Sequence, residues 1–225
     1  MTKFKAVLVA PFIVAAFASA FPPVSIAGEL VVGQSLGLTG AGAVAARQYQ
    51  QGAQCFMDVL NKGGGIRGNT IRLVSLDDGG KADRTVENTR ALIEREKAFV
   101  LFGFTSAAGA RAALPLLRQQ GVPLVGVAGG SSGVREAGAE GVGTVVVRAA
   151  PGPASHDSTI AASYRMALSK CASRDEPSAA GLEGFIAARV LVEGLLRAGS
   201  NPTRQALVDG IESIEKLDLG GFRIG

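Results

Sequence analysis

Hydroxyl and small residues gather at two places where the chain could do chemistry. The first is Phe104-Thr105-Ser106-Ala107-Ala108-Gly109; the second is Ala128-Gly129-Gly130-Ser131-Ser132-Gly133. An amino-acid zwitterion needs donors for its carboxylate and acceptors for its ammonium. Serine and threonine hydroxyls, main-chain N–H groups at helix starts and main-chain carbonyls supply both. A single Ser/Thr loop is usually a helix cap. Two of them at neighbouring strand ends make Thr105, Ser106, Ala107, Ala128 and Gly129 candidate ligand-binding residues.

Other chemistries can be read from the same residue types. Gly129-Gly130-Ser131-Ser132-Gly133 fits G-x-S-x-G, the turn that presents a nucleophilic serine. Its general base would have to be His156, the chain's one histidine. In hydrolases of that kind the acid precedes a late histidine, whereas His156 follows Ser131 closely and stands before Asp157, so Ser131 as a secreted hydrolase's nucleophile is a subordinate reading. Gly40-Ala41-Gly42-Ala43-Val44-Ala45 fits the glycine fingerprint for a dinucleotide, but Ser35 to Thr39 separate it from the preceding strand. The interval to Asp77 is also long for a compact βαβ unit. A tight turn feeding a helix N-terminus is the plainer reading. One histidine and two distant cysteines build no zinc site. Asp77-Asp78-Gly79 lacks the later ligands of a calcium loop and reads as a strand end with an aspartate-stabilised turn. The expectation is no metal, no cofactor and no catalysis.

The two hydroxyl loops need strands to hold them. Phe99 to Gly103 and Val122 to Val127 are short, wholly apolar runs, as in strands buried on both faces of a parallel sheet. Ala110 to Gln120 has a helical face through Ala113, Leu114, Leu116 and Leu117, which completes a βαβ unit. Upstream, Leu30 to Gly33 reads as a strand and Gln34 to Gly42 as a loop. Val44 to Asn61 reads as a helix stopped by Gly63-Gly64-Gly65, Ile66 to Asn69 as a turn, and Thr70 to Leu76 as a strand. Thr85 to Glu96 reads as a helix with Asp83 as a cap. This alternation gives a doubly wound α/β fold, in which ligands sit beyond the carboxyl ends of the strands. Further on, a strand is expected at Val145 to Val147. Helices are expected from Asp157 or Ser158 to Ser169, over Leu182 to Ala198, and over Thr203 to Ile214 with Asn201 or Thr203 capping. A strand opens near Gly220.

Composition narrows the partners. Hydrophobic residues make up 47% of the 225, aromatics 5%, and the formal net charge is +4. No dense Lys/Arg block marks a nucleic-acid surface. Met1 to Ala27 has a basic start at Lys3 and Lys5, an apolar run from Ala6 to Ala20 and small residues before its end, the pattern of a secretory signal peptide. Without Lys3 and Lys5 the charge falls to +2. No later run is long and apolar enough to span a membrane. Cys55 and Cys171 lie in different predicted units, and Cys55 is expected as a buried free thiol.

Several stretches together resemble the type I periplasmic solute-binding proteins of ABC transporters, in the leucine/isoleucine/valine-binding branch. They are Val32-Gly33-Gln34-Ser35 with Leu38-Thr39-Gly40, Gln51-Gly52-Ala53, Asn61 to Gly68, and Ile71 through Asp77-Asp78-Gly79. Val86-Glu87-Asn88-Thr89, Gly121 to Gly126, Leu182 to Glu193 and Asp218 to Phe222 complete the set. The resemblance implies a monomer in the periplasm that holds an amino acid or amide and delivers it to an ABC permease in the inner membrane, without nucleic acid. It implies ligand contacts from Thr105 to Ala107 and from Val127 to Gly129. Relative to that family, much of the second lobe is absent. The expected organisation is a signal peptide at 1–27, an N-terminal α/β ligand-binding lobe at 28–140 and an incomplete, mostly helical second lobe at 141–225. The helices could equally be an addition to the first lobe. The alternative function on the same fold is a ligand-sensing or interaction module, or a non-functional remnant.

Overall fold

The computed structural model describes residues 28–128, 152–155, 158–171, 175–220 and 222–224. The proposed signal peptide, Gly129, Ser131, the expected strand at Val145 to Val147, and His156 lie outside the described residues. Among the described residues, no helix is long and apolar enough to cross a membrane.

The strands are β1 (Glu29–Leu36), β2 (Thr70–Asp77), β3 (Val100–Phe102) and β4 (Leu124–Val125). They form one parallel sheet in the order β2-β1-β3-β4. Strand β1 runs through Gln34 and Ser35 to Leu36, further than the polar residues suggested. Both polar side chains are fully buried but anchored: Ser75 Oγ donates to Gln34 Oε1 at 2.9 Å, and Ser35 Oγ donates to Asp78 Oδ2 at 2.8 Å. Ser35 satisfied this way costs little to bury, whereas the Gln34 amide is satisfied only at its oxygen.

Helices α2 (Ala82–Glu94) and α3 (Ala107–Gln120) cover one face of the sheet. Their core joins Leu92, Ala110, Ala113, Leu114 and Leu117 to Val31, Leu101 and Leu124. Ser106 caps α3, its Oγ accepting from the Gly109 N–H at 3.0 Å. Asp83 does not cap α2: it lies inside the first turn, Lys81 holds the cap position, and no side chain bonds there. The aspartate that organises this turn is Asp78, whose fully buried carboxylate also accepts from Thr85 Oγ1 at 3.0 Å and the Gly80 N–H at 2.8 Å.

The other face carries α1 (Ala43–Lys62) together with α4 (Thr159–Lys170), α5 (Ala179–Arg197) and α6 (Arg204–Glu212) from the C-terminal half. One apolar cluster runs from Val32, Leu36 and Phe102 of the sheet through Tyr49 and Met57 of α1 to Leu182, Phe185, Ile186 and Leu191 of α5. Each fully buried side chain of that size contributes about 1.5–3 kcal/mol. Ser158, Ser178 and Thr203 cap the three later helices through their hydroxyl oxygens. A two-stranded antiparallel pair, β5 (Leu217–Asp218) and β6 (Arg223–Ile224), follows.

Helices α1 and α5 meet backbone to backbone. A Cβ on Gly52 would stand 1.8 Å from the Gly181 carbonyl oxygen, and one on Gly184 would stand 2.0 Å from the Tyr49 carbonyl oxygen. Only glycine admits this approach. The cysteines correct the sequence expectation: Cys55 of α1 and Cys171, just past α4, form a disulfide with Cα atoms 5.4 Å apart. The two predicted units share one core, so residues 116 apart in sequence become neighbours. Arg204 adds a further tie, donating to the carbonyls of Ala98, Phe99 and Gln120 at 3.0–3.2 Å.

Candidate functional site

Strands β3 and β4 end alike. Gly103 and Gly126 follow them with φ of +62° and +69°, a conformation that favours glycine. Both turns bend beneath Tyr49 of α1. A Cβ on Gly103 would lie 2.6 Å from Tyr49 Cε1 and 2.8 Å from Gln34 Nε2; one on Gly126 would lie 3.4 Å from the Tyr49 hydroxyl. Gln34 Nε2 has no hydrogen-bond partner among the described residues. Beyond these glycines the chain delivers Thr105 and Ser106 from β3, and Ala128 from β4.

These residues line a cleft of about 470 Å³ at the carboxyl ends of the strands. The loop after β1 contributes Gly37, Thr39, Ala41 and Gly42, the turn after β2 contributes Gly79 and Gly80, α1 contributes Ala45, Ala46 and Tyr49, and α5 contributes Ala180 and Glu183. The order β2-β1-β3-β4 reverses direction between β1 and β3, and the cleft sits at that switch point. The Gly37 N–H donates to Thr105 Oγ1 at 3.1 Å, tying the two loops together. Since this oxygen accepts, the Thr105 hydroxyl proton is available to a ligand, and the same holds for Ser106, whose oxygen accepts from Gly109. Ala107 opens α3, where the first N–H groups have no intrahelical acceptor.

Thr39 is held by Asp77, its hydroxyl donating to Oδ2 at 2.7 Å and its N–H to Oδ1 at 3.2 Å. The Thr39 hydroxyl, followed by the Gly79 N–H, holds the Asp77 carboxyl below the usual carboxylate range. Tyr49 is buried, and that burial, with the nearby Glu183 charge adding to it, raises its phenol well above the usual tyrosine range.

The structure brings Thr105, Ser106 and Ala128 to one cleft. Ala107 sits beside it with its methyl against the α2/α3 core, and the Val127 side chain is buried in that core, pointing away from the cleft. Gly129 is outside the described residues. Tyr49, Glu183 and Gly37 were not singled out by sequence reasoning, whereas the turn at Gly40 to Ala45 was, and its Ala41, Gly42 and Ala45 line the cleft. Gly103 and Gly126, each closing an apolar run, were the available signal for Tyr49; nothing in the local pattern of α5 signals that Glu183 reaches the cleft. A second hollow, of about 250 Å³, lies near the amino end of β4, between Arg118, Gly121, Pro123 and Arg204. Among the described residues, no group of His, Cys, Asp and Glu could hold a metal ion.

An open parallel α/β sheet with a hydroxyl-lined cleft at its switch point defines a small-molecule-binding lobe. The chain belongs to the periplasmic binding protein family, whose sequence model matches residues 29–145. It is 33% identical over 75 residues to an amino acid binding protein of Pseudomonas aeruginosa, a match taking in 33% of this chain and 20% of that protein. The chain thus spans about a fifth of the length of that curated relative. Its fold is similar to that of a possible leucine/isoleucine/valine-binding protein of Rhodopirellula baltica (TM-score 0.76, 15% identity, covering 88% of this chain and 89% of that one). It is also similar to a substrate-binding periplasmic protein of Ralstonia solanacearum (TM-score 0.73, 21% identity, covering 85% and 91%).

Proposed function

We propose that the protein captures a branched-chain or related amino acid in the periplasm, as a monomer, and presents it to an ABC permease in the inner membrane. The observation that carries this reading is the convergence of Thr105, Ser106 and Ala128 on one ligand-sized cleft at the switch point. In this reading the Thr105 and Ser106 hydroxyls and the α3 N-terminal N–H groups, Ala107 included, take the ligand carboxylate. Main-chain groups of Val127 to Gly129 serve its ammonium. Met1 to Ala27 directs export, and the protein binds without transforming its ligand. The names of the Pseudomonas and Rhodopirellula relatives support amino-acid binding. Helices α4 to α6 then belong to the body that carries the cleft.

Calorimetric titration with leucine, isoleucine, valine and small amides tests this. The expected result is saturable one-to-one binding that Thr105→Val weakens about tenfold, the effect of losing one hydrogen bond to a charged group. A folded sample silent to the whole panel would refute it.

A further inference from the structure

A row of polar groups crosses the sheet near its carboxyl ends, beneath α1, following the strand order β2-β1-β3-β4. Ser75 of β2 pairs in register with Gln34 of β1, and its Oγ donates to Gln34 Oε1 at 2.9 Å. Gly103 and Gly126, just past β3 and β4, come next. At the far end the Tyr49 hydroxyl donates to the Gly126 carbonyl at 3.5 Å. Among the described residues the row has one break. Gln34 Nε2 is fully buried, and its N–H groups have no acceptor there. The buried Tyr49 hydroxyl gives its proton to Gly126 and keeps lone pairs that can accept. Both atoms flank the notch that Gly103 leaves: a Cβ there would lie 2.8 Å from Gln34 Nε2 and 3.1 Å from the Tyr49 hydroxyl. A buried donor and a buried acceptor that face one notch without bonding call for a shared partner.

We propose that one buried water links Gln34 Nε2 to the Tyr49 hydroxyl, and that Gln34 thereby positions the turn that delivers Ala128 to the cleft. The water accepts from the Gln34 amide and donates to the Tyr49 oxygen. The Gly126 carbonyl, beside the same hydroxyl, is the third polar group of such a site. Every bond then runs one way, from Ser75 through Gln34, the water and Tyr49 to Gly126, so that each strengthens the next. Gln34 is not among the residues lining the cleft, so it acts through Tyr49. The inference goes beyond amino-acid capture, and its tests use no ligand, so the two readings stand or fall separately.

A crystal structure of the full chain is expected to show a water within hydrogen-bond distance of both atoms; a dry notch overturns the proposal. In solution, a double-mutant cycle joins Gln34→Met, which keeps the length but not the amide, to Tyr49→Phe. The acceptor of Ser75 is lost with Gln34→Met in either background and cancels from the cycle. Each single variant is expected to lower the urea midpoint, and the double variant to unfold at the midpoint of Gln34→Met alone. Losses that simply add overturn the link. The chain has two tyrosines and no tryptophan, so Tyr164→Phe leaves Tyr49 as the one near-ultraviolet reporter. In that background Gln34→Met is expected to shift the tyrosine absorbance band while the far-ultraviolet circular dichroism stays the same. A band that does not move overturns the positioning role.

Discussion

The face of the sheet covered by α2 and α3 is made from one run of chain, in which each helix links strands of the same sheet. The face covered by α1 is finished by α4, α5 and α6, which arrive only after the four described strands of the sheet have passed. The first face holds together by burial of Leu, Ile, Val, Ala and Phe104, with one close glycine contact, Gly109 of α3 against the Thr85 side chain of α2. The second needs close backbone approaches at Gly52, Gly181 and Gly184, a disulfide, and an arginine spanning three carbonyls. The contrast teaches that contacts between distant segments need specific devices where local connectivity does not bring the elements together. The cleft draws one end from each face.

The largest effect is expected where the helices touch. Gly184→Val would drive a side chain into the Tyr49 carbonyl and should cost more than about 4 kcal/mol by chemical denaturation, as backbone cannot give way cheaply. Next, replacing both cysteines by serine should cost about 3–5 kcal/mol, given the long loop the bond closes. A calorimetric melt with and without reductant would show the same loss. On the other face, Leu114→Ala should cost about 2–4 kcal/mol, the ordinary price of a core truncation. If Leu114→Ala proved worse than Gly184→Val, the contrast between the faces would be wrong.

Much of the first face was legible in the sequence because its signals are local. Apolar runs at Phe99 and Val122, the Leu114 helix and its Ser106 cap are readable within a few residues. The cleft's hydroxyl-bearing end came with them, since hydroxyls at strand ends are also a local pattern. The second face was not legible in the same way. Gly184 reads as an unfavourable residue in a helix until Tyr49 is seen against it. Cys55 reads as a core thiol until α4 is seen beside α1. Gln34 and Ser35 read as loop residues because their partners, Ser75 and Asp78, lie on another strand and its turn. Glu183 was missed for the same reason: apart from Ala180 on its own helix, its neighbours in the cleft are more than 50 residues away in sequence.

Two smaller effects sharpen the account at the cleft. Asp78→Asn keeps the size of the side chain but forces a donor toward Ser35 and Thr85, and should cost about 1–3 kcal/mol in a urea titration. Asp77 gives a pH signature. Its folded carboxyl titrates below the unfolded value, so its contribution is present above about pH 4 and is lost as pH falls through the lower folded value. The acid limb of the urea midpoint should therefore be flatter in Asp77→Asn than in the wild type.

The central claim is that one ligand spans both faces at the carboxyl ends of the strands. Hydrogen exchange of the full chain, with and without millimolar leucine, tests it most directly. The account predicts slowed exchange at residues 103–110 and 126–128 and in the first turn of α5, with none around Gly121 and Arg204 at the opposite end of the sheet. No change anywhere, or protection confined to that opposite end, would contradict it.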